Sequence, residues 1–432
     1  MSLILLHILA LSDLILLLVL LFFTKGNLNS IFVFHTLWSL PLLNIPILGI
    51  PLFDFNVLSF SLIFMPNRVY KFRHSGPLNI LLILLMSTIT LGLMRSEFKW
   101  NMDNFVDFLN VVTLILFSRI LMRELTERDD NFNKILSLIK TVVVLSFFIL
   151  TVQILTGLSF YFSNQMNPNV ISLDGIRYPS FFSDPQIYGQ FLSSGCFLFL
   201  IKDSIKKKWI QYMLFACCFG ALVLTATRAA MLGFISGLAI IMLMSGWKMK
   251  WILLLIFLAG AYLFSAYSDQ LLLLNRGTDI QEAYDFRSQV WYDAWKMFLK
   301  HPVIGSGIGN YTQYAFMYFP DQYWMVDNQM ITFDHPESGY LKILTEMGLL
   351  GFISFCGIFF STIIGNIKKY FSEKDFVSVV LIASMLGWLI PFYTVYSFSD
   401  IRFSVFVVLL LCISLFHTSK SLNTKSSQPC SE

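Results

Sequence analysis

Long apolar blocks alternate with short polar segments along nearly the whole of this 432-residue chain. An α-helix needs about 20 mostly apolar residues to cross the hydrocarbon of a bilayer, and most of the blocks approach that length. The pattern predicts membrane spans near residues 3–23, 31–50, 52–65, 78–94, 104–121, 135–157, 186–201, 209–226, 229–246, 250–267, 340–364, 376–396 and 401–417. We therefore expect an all-α integral membrane protein with about 12–13 transmembrane helices.

The region between residues 31 and 65 is the least regular part of this pattern. Pro41, Pro46 and Pro51 interrupt it. Proline lacks the backbone donor that continues a helix, and its ring clashes with the preceding turn. Two interpretations stay open for this region, one kinked span or a re-entrant pair of helices.

Composition agrees with lipid as the solvent for most of the chain. Hydrophobic residues make up 56% and charged residues 13% of the sequence, and the mean hydropathy is +0.70. A soluble domain carries about twice that charged fraction. The net charge of +4 gives no reason to expect a nucleic-acid partner. Five of the 6 cysteines lie in apolar blocks and one in the tail, so no disulfide framework is predicted.

Basic residues in the short loops predict the orientation of the spans. Lysine and arginine concentrate in the cytoplasmic loops of membrane proteins. Here they fall in every second loop, as Arg68, Lys71 and Arg73; Arg123, Arg128 and Lys134; Lys202, Lys206, Lys207 and Lys208; Lys248 and Lys250; Lys368, Lys369 and Lys374; and Lys420 and Lys425. We therefore expect a cytoplasmic C-terminus, with the alternate loops facing outside.

The same map divides the chain into four parts. Residues 1–267 are predicted to form an N-terminal transmembrane bundle of about ten spans. Residues 268–339 form one large outward-facing loop, residues 340–417 the C-terminal transmembrane helices, and residues 418–432 a cytoplasmic tail.

The 268–339 loop is rich in tryptophan, tyrosine and phenylalanine, in which disordered segments are poor. Within it, Phe286–Lys300 places apolar residues on one face at helical spacing. These residues are Val290, Trp291, Ala294, Met297 and Phe298. We expect short helices in this loop, one of which either lies on the membrane surface or caps the bundle of spans.

Five arginines lie on the predicted outer side, where positive charge is disfavoured in short loops. They are Arg177, Arg228, Arg276, Arg287 and Arg402. A guanidinium keeps its charge and donates bidentate hydrogen bonds to phosphate oxygens, so the set indicates an anionic ligand at this face. The alternative is snorkelling at the interface or a local ion pair. We favour that alternative for Arg276 and the ligand for Arg228.

The segment Asp334–Leu341, where the large loop returns to the membrane, supplies candidate proton acceptors. Proline favours the first turn of a helix, so Pro336 predicts a helix that begins there and places Glu337 at the positive end of its dipole. An ionised carboxylate at that position could accept a proton from a hydroxyl. His335 is the rival acceptor, because imidazole titrates near neutral pH. Alternatively, Asp334 or His335 caps the helix and Glu337 pairs with a nearby arginine.

Other patterns carry less weight. Gly305–Gly309 resembles a phosphate-binding loop, but no strand is predicted before it, and it faces the wrong compartment for nucleotides. The histidines and cysteines do not have the spacing of a zinc site, and we predict no metal or other cofactor.

Several motifs together resemble the O-antigen polymerase and O-antigen ligase superfamily of bacterial envelope polysaccharide assembly. The matching segments are Arg177–Pro185 followed by Gly189, Thr225–Leu232, Arg287–Ala294, His301–Gly307, and Glu337–Leu341 continuing through Glu346–Gly351. The resemblance covers roughly residues 177–351, and it rests on the order and spacing of the motifs rather than on any single one.

The resemblance implies a GT-C-like multi-helix fold and a glycan transfer without nucleotide sugar or divalent metal. The donor would be an oligosaccharide on an undecaprenyl-diphosphate carrier. The acceptor would be a hydroxyl group at the periplasmic face of the bacterial inner membrane. The bilayer, a chain-length regulator and a flippase would be the other partners.

The resemblance also implies roles for the candidate residues. Arg177, Arg228 and Arg287 would bind the diphosphate, and Arg402 and Arg276 would be additional anion contacts. Glu337, with or without His335, would take the proton of the acceptor hydroxyl.

The motif at the end of the large loop bears on the acceptor. Ligases of the superfamily usually carry histidine–asparagine before an aromatic residue and leucine. Alignment on Tyr340-Leu341 places Glu337-Ser338 at that pair, which favours a polymerase of O-antigen, capsule or exopolysaccharide repeat units. The alternative is a ligase that transfers finished glycan to a lipid A core. A non-enzymatic transporter of lipid-linked glycan is disfavoured by nearly charge-free span interiors.

Overall fold

The structure is a computed structural model that describes most of the chain. The described residues are 3–23, 27–64, 76–95, 102–128, 130–158, 160–162, 167, 170–172, 175–201, 208–246, 250–251, 254–255, 258, 280–318, 323–326, 329–332 and 335–426. Arg276 and Asp334, and most of the predicted span at 250–267, lie outside them.

Helices make up nearly all of the regular structure within these residues. The helices are α1 (Leu3–Phe23), α2 (Leu28–Trp38), α3 (Leu52–Phe64), α4 (Gly76–Arg95), α5 (Met102–Glu127), α6 (Asn131–Thr156), α7 (Pro185–Leu198), α8 (Lys208–Leu224), α9 (Arg228–Met244), α10 (Ile280–Lys300), α11 (Tyr311–Tyr318), α12 (Gly339–Glu373), α13 (Phe376–Leu389) and α14 (Ile401–Ser426). Antiparallel hairpins pair β1 (Pro46–Ile47) with β2 (Ile50–Pro51), β3 (Ile171–Ser172) with β4 (Gly175–Ile176), and β5 (Tyr323–Val326) with β6 (Gln329–Thr332).

The predicted fold class, an all-α membrane protein, is confirmed. In the described part of the chain, 6 helices are long and apolar enough to cross a membrane, and α3, α4, α8 and α9 are shorter apolar helices. Their positions follow the predicted apolar blocks closely. The division into four parts and the orientation of the loops stay predictions.

The irregular region after α1 is a pair of short helices. α2 has 11 residues, which is about 16 Å of helix and roughly half the hydrocarbon thickness. The chain continues through a 3-10 helix at Leu40–Leu42 and the β1–β2 hairpin before α3 begins. The predicted continuous span over 31–50 is therefore wrong, because the prolines lie in these irregular elements. The re-entrant pair is the interpretation that fits.

The predicted span at 376–396 also ends early at a proline. α13 stops at Leu389, and Pro391–Tyr393 and Ser397–Ser399 form 3-10 helices before α14. The missing backbone donor of Pro391 accounts for the break. α14 then continues to Ser426, beyond the predicted end of that span at residue 417.

The centre of the bundle is α7, whose 14 residues are all buried. It packs against α8, α9 and α13. A Cβ atom on Gly387 would overlap the Ser193 carbonyl, and one on Gly233 would overlap the Gly387 carbonyl. Small residues that allow such close approach are typical of helix packing inside a bilayer.

The helices of the large loop cap the bundle. Ala294 and Met297 of α10 form a small core with Tyr311 and Tyr314 of α11, and Leu341 of α12 packs against it. The predicted apolar face of α10 is confirmed, because Val290 and Ala294 are 0% exposed and Met297 is 2% exposed. The cap interpretation therefore fits the described contacts of α10 with α12.

The loop between α10 and α11 inserts its backbone into a break in α12. The break lies at Gly348, whose backbone is left-handed with φ of 63° and ψ of −168°. In an unbroken helix, the amides of Leu349 and Leu350 would donate to the carbonyls of Thr345 and Glu346. Instead, these amides donate to Pro302 O at 2.8 Å and Val303 O at 3.2 Å.

The two carbonyls of α12 find their partners in the same loop. The amide of Ser306 donates to Thr345 O, and that of Gly307 donates to Glu346 O, each at 2.9 Å. The loop thus replaces two helical hydrogen bonds with four of its own. An unsatisfied backbone group in hydrocarbon costs several kcal/mol, so the break and the loop depend on each other.

Side chains fix this loop from two further directions. The Glu346 carboxylate is buried, accepts from the Tyr311 amide at 3.1 Å and lies 3.7 Å from Lys342 Nζ. On the other side, Asn104 of α5 donates to Ile308 O at 2.9 Å and to Asn310 Oδ1 at 2.8 Å. The loop is therefore clamped between α5 and α12.

Buried carboxylates occur within the N-terminal helices, where the span interiors were expected to be nearly free of charge. Asp13 accepts from the Ser39 hydroxyl at 2.5 Å and lies 3.4 Å from His35 Nε2. Asp54 is 0% exposed and accepts from the Thr113 hydroxyl. Both carboxylates have partners on neighbouring helices, which is the arrangement expected of polar groups inside a bilayer.

Gly305 gives a test of the inserted loop. Its φ is +80°, and a Cβ atom there would overlap the carbonyl of Glu346. We expect Gly305→Ala to lower the free energy of unfolding by about 2 kcal/mol or more, because the loop would have to leave the break. The measurement is thermal unfolding of the purified protein in detergent.

Gly220→Ala is the matched control. A Cβ atom at Gly220, within α8, would have no neighbour within 4 Å. Alanine is favoured over glycine inside a helix by about 0.5–1 kcal/mol, so this variant should be as stable as the wild type or slightly more stable. Equal behaviour of the two variants would contradict the insertion.

Candidate functional site

The end of the bundle where α12 begins brings three of the predicted site residues together. Arg287 Nη2 lies 3.7 Å from Glu337 Oε2, and His335 Nε2 lies 3.8 Å from Glu337 Oε1. The side chains of His335 and Glu337 are 19% and 20% exposed, and that of Arg287 is 40% exposed. The site is thus open to solvent, and its carboxylate lies between two potential cations.

Glu337 precedes α12 and does not lie in its first turn. The helix begins at Gly339, and the Ser338 hydroxyl oxygen caps it by accepting from the Leu341 amide at 3.5 Å. The prediction that the helix begins at Pro336 is wrong, because Glu337 has a left-handed backbone with φ of 49°. A left-handed backbone at a residue other than glycine costs of order 1 kcal/mol in conformational free energy, and such residues are often found at functional sites.

Aromatic residues contact both Glu337 and His335. The Trp291 indole N–H donates to Glu337 O at 3.4 Å, and its ring contacts Tyr393 edge-on at 5.3 Å between centroids. The His335 ring lies 6.0 Å from that of Tyr396. Sequence reasoning missed both tyrosines because it assigned them to a span. Pro391, just before them, was the signal that the span had ended.

Lys342 lies between Tyr396, which contacts His335, and Glu346, which binds the inserted loop. Its ammonium lies 4.6 Å from the centroid of the Tyr396 ring and 3.7 Å from Glu346 Oε1. Glu346 also accepts a hydrogen bond from the Tyr311 amide, at the N-terminus of α11. A continuous series of contacts therefore runs from His335 through Tyr396, Lys342 and Glu346 to Tyr311. Displacement of the loop is therefore expected to disturb the site.

Arg177 is a buried arginine that shapes the turn before α9. It is 0% exposed, and it donates from Nε to Thr225 O and from Nη2 to the Thr227 hydroxyl, each at 3.0 Å. Ala226, between the two threonines, has a left-handed backbone with φ of 49°. Arg177 thus braces a strained turn, and its guanidinium is not at the surface in this structure.

Arg228 is the first residue of α9 and is exposed. The turn that presents it packs on α7, because a Cβ atom on Gly189 would lie 3.1 Å from both the Thr225 hydroxyl oxygen and the Thr227 Cβ. A cation at the end of a helix whose N-terminal amides also carry positive charge is well placed for an anion.

Arg402 is committed to internal contacts. It is 0% exposed and forms an ion pair with Asp400, with Nη2 at 2.5 Å from Oδ2 and Nε at 2.7 Å from Oδ1. Its Nη1 donates to the Phe181 carbonyl. The Phe181 contact, together with the Ser183 hydroxyl that donates to Asp400 at 2.9 Å, holds the start of α14 to the segment before α7. These contacts favour a structural role for Arg402 over its predicted role as an additional anion contact.

An apolar cavity of about 390 Å³ lies beside these residues. Ala229 and Leu232 of α9 line one wall, and Tyr340 and Tyr393 line another. Ala229 follows Arg228, and Tyr393 contacts Trp291 beneath Glu337. The cavity is therefore lined both by the residue after Arg228 and by the tyrosine that contacts Trp291.

This arrangement suits proton removal and anion binding. The two contacts of Glu337 are longer than the 2.7–2.9 Å of a charge-assisted hydrogen bond, so a hydroxyl group can compete for the carboxylate. Arg287 supplies positive charge beside Glu337, and Arg228 supplies it at the start of α9. Within the described ranges, no group of three or more histidine, cysteine or carboxylate residues could hold a metal ion.

Comparison with known proteins identifies the segment that carries this site. Residues 213–356 match the family model described as O-antigen ligase, Wzy_C. The matched segment includes Arg228, Arg287, His335 and Glu337, and also both sides of the α12 break. A search of the curated proteins finds no match.

Arg177 and Arg228 should respond differently to substitution. Arg177→Ala removes two buried hydrogen bonds of a charged donor, so we expect the free energy of unfolding to fall by about 2–4 kcal/mol. Arg228→Ala acts at an exposed helix start and should change it by less than about 1 kcal/mol. Thermal unfolding in detergent measures both, and an equal loss in the two variants would contradict the bracing role of Arg177.

Proposed function

We propose that this protein polymerises polysaccharide repeat units. The premise is the match over residues 213–356, which identifies the chain as a member of the O-antigen ligase and polymerase superfamily. Family membership indicates glycan transfer of the ligase or polymerase type in a membrane. The donor in this proposal is an oligosaccharide on undecaprenyl diphosphate. The acceptor is a sugar hydroxyl of another repeat unit at the periplasmic face of the inner membrane.

One observation carries the proposal. Glu337, in a left-handed backbone conformation, lies within 4 Å of both Arg287 and His335 at the point where the large loop meets α12. A lipid-linked sugar reaches solvent at this boundary, so the reacting carbon can meet a base there while the carrier stays in the bilayer.

The proposed reaction moves one proton and exchanges one bond. The Glu337 carboxylate accepts the proton of the acceptor hydroxyl, and the acceptor oxygen bonds to the anomeric carbon of the donor. The bond from that carbon to the diphosphate oxygen breaks, and the diphosphate leaves with the electron pair. Arg228 and Arg287 stabilise the charge that develops on the leaving group. His335 is the alternative proton acceptor.

The other arginines support these two. Arg177 positions Arg228 through the Thr225–Thr227 turn, and Arg402 holds the start of α14. Arg276 lies outside the described residues, so both of its alternatives, an additional anion contact and snorkelling or a local ion pair, stay open. Because guanidinium groups supply the positive charge, the proposed transfer needs no divalent metal or other cofactor.

The 390 Å³ cavity supports a lipid-linked donor. It is lined mainly by apolar side chains, among them Ala229, which follows Arg228 in the chain, so the proposal places the hydrocarbon chain in the cavity and the diphosphate at Arg228. A chain-length regulator and a flippase are proposed partners, since a polymerase needs its donor delivered and its product limited. The large loop is proposed to face the periplasm, with the C-terminus in the cytoplasm.

The polymerase is favoured over the ligase by the residue at the site. Glu337-Ser338 stands where ligases usually carry histidine–asparagine, and the nearest histidine, His335, is two positions earlier. The ligase is the second candidate, because its donor chemistry is the same. The transporter is third, because the buried Asp13 and Asp54 each contact a partner on a neighbouring helix.

Substitutions at the site test the transfer. We expect Glu337→Gln, Arg287→Ala and Arg228→Ala each to lower activity by about 100-fold or more, because each removes a base or a stabilising charge. The measurement is the ladder of polysaccharide chain lengths in a complemented deletion strain. His335→Gln should cause a smaller loss if Glu337 is the base, and a larger one assigns the proton to His335.

Arg123→Ala is the control for that assay. Arg123 is paired with Glu127 by a 2.5 Å contact on the distant end of α5, so its loss should leave the ladder unchanged. Normal ladders in both Arg228→Ala and Arg287→Ala would overturn the assignment of the site.

The deletion strain itself separates polymerase from ligase. Loss of a polymerase should leave single repeat units attached to the lipid A core, because ligation continues without chain growth. Loss of a ligase should leave long chains on the carrier lipid. Electrophoresis of the lipopolysaccharide and of the carrier-linked fraction distinguishes the two outcomes. Long chains on the carrier lipid would contradict the proposal that the protein is a polymerase.

A further inference from the structure

Lys342 is a lysine of α12 whose side chain lies between the candidate site and the inserted loop. Its side chain is 9% exposed, and that of Glu346 is 2% exposed. The two residues are one helical turn apart, and Lys342 Nζ lies 3.7 Å from Glu346 Oε1. The ammonium also lies 4.6 Å from the centroid of the Tyr396 ring. The lysine thus makes an ion pair and a cation–π contact while it is largely withdrawn from solvent.

Stability alone does not account for a buried ion pair at this position. Removing two charges from water costs free energy that their mutual attraction does not always return, so an apolar pair of similar volume is often equally stable or more stable. Ionisable residues in membrane-spanning helices are correspondingly rare and are usually associated with function. The Lys342–Glu346 pair is therefore expected to fix a particular arrangement of its neighbours.

The backbone of Lys342 belongs to the first turn of α12. Its amide donates to the Ser338 carbonyl at 3.0 Å. Ser338 caps the helix and directly follows Glu337, the base of the proposed transfer. Helical side chains point towards the N-terminus of their helix, so that of Lys342 extends towards the same end of the bundle.

Tyr396 connects the side chain of Lys342 with the second proton acceptor. The Tyr396 ring lies 6.0 Å from the His335 ring, and His335 Nε2 lies 3.8 Å from Glu337 Oε1. Tyr396 also packs against Phe392, with 6.2 Å between the ring centroids. The same tyrosine ring therefore contacts both the ammonium of Lys342 and the imidazole of His335.

We propose that Lys342 is a positioning residue for the two proton acceptors of the candidate site. Glu346 fixes the ammonium of Lys342, the ammonium fixes the Tyr396 ring, and the ring fixes the imidazole of His335 beside Glu337. Lys342 acts through these neighbours and does not touch the reacting atoms. The inference deepens the proposed function and rests on it wherever activity is measured.

Nuclear magnetic resonance of the histidines tests the positioning without measuring any reaction. The chain contains 6 histidines, so isotope labelling of their Cε1 atoms in the full chain gives few signals, and the signal lost in His335→Gln identifies His335. Lys342→Met removes the charge but keeps an unbranched side chain. It should shift the His335 signal in the same direction as Tyr396→Leu, because both changes remove the ring current of Tyr396 from its present position.

Lys374→Met is the matched control for that measurement. Lys374 caps the other end of α12, and its ammonium lies 5.2 Å from the centroid of the Tyr370 ring. Its replacement should leave the His335 signal unchanged. Lys342→Arg keeps the charge and also stacks on aromatic rings, so its His335 signal should stay close to that of the wild type.

The kinetic test uses the purified full chain with a synthetic oligosaccharide on undecaprenyl diphosphate as both donor and acceptor. A displaced proton acceptor slows the chemical step, so Lys342→Met should lower kcat about tenfold or more. KM should change by less than about threefold, because Arg228 and Arg287 still bind the diphosphate. Lys342→Arg should recover most of the lost activity. Thermal unfolding of the same samples verifies that each variant is folded.

An unchanged His335 signal in Lys342→Met would overturn the proposal, and so would equal shifts in Lys342→Met and Lys374→Met. If the wild type transfers no glycan but Lys342→Met shifts the signal, the proposed function fails and the positioning stands. If the wild type is active and Lys342→Met matches its kcat, the positioning fails and the proposed function stands. Lys342→Gln, which can still donate to Glu346 but carries no charge, gives a second arm if Lys342→Met folds poorly.

Discussion

The break in α12 and the loop that fills it are the constraint on which the rest of the site depends. A transmembrane helix cannot leave backbone groups unpaired in hydrocarbon, and here Thr345, Glu346, Leu349 and Leu350 find all their partners in residues 302–307. The loop in turn sets where α10 ends and where α11 begins. Because Arg287 and Trp291 are on α10, the break also determines where they meet Glu337.

The arginines show how burial separates roles that residue type cannot. Arg177 and Arg402 are 0% exposed, and their guanidinium groups donate hydrogen bonds to carbonyls, a hydroxyl and the Asp400 carboxylate. Arg228 and Arg287 are accessible, one at a helix start and one beside Glu337. All four looked alike in the sequence, since each was an isolated cation on the predicted outer side. Only the fold shows which can reach a ligand.

Much of the fold followed from local patterns, and the site only partly did. Hydropathy located the helices because burial in lipid acts on each block separately, and the spacing of Val290, Ala294 and Met297 revealed the packed face of α10. The errors fell at prolines and at Glu337, where a left-handed residue and the Ser338 cap begin α12 later than Pro336 suggested. The contacts of Lys342 with Tyr396 and Glu346 depend on distant parts of the chain, so no local pattern announces them.

The inserted loop constrains how this region can change over evolutionary time. Four of its hydrogen bonds to α12 come from the backbone, so they constrain the number of residues in the loop more than the identity of a residue such as Val303. An insertion or deletion of one residue between Pro302 and Gly307 would shift the amides and carbonyls of the loop out of register with those of the break. Apart from Gly305 and Gly307, whose left-handed backbone favours glycine, the length of the segment is therefore constrained more tightly than its side chains.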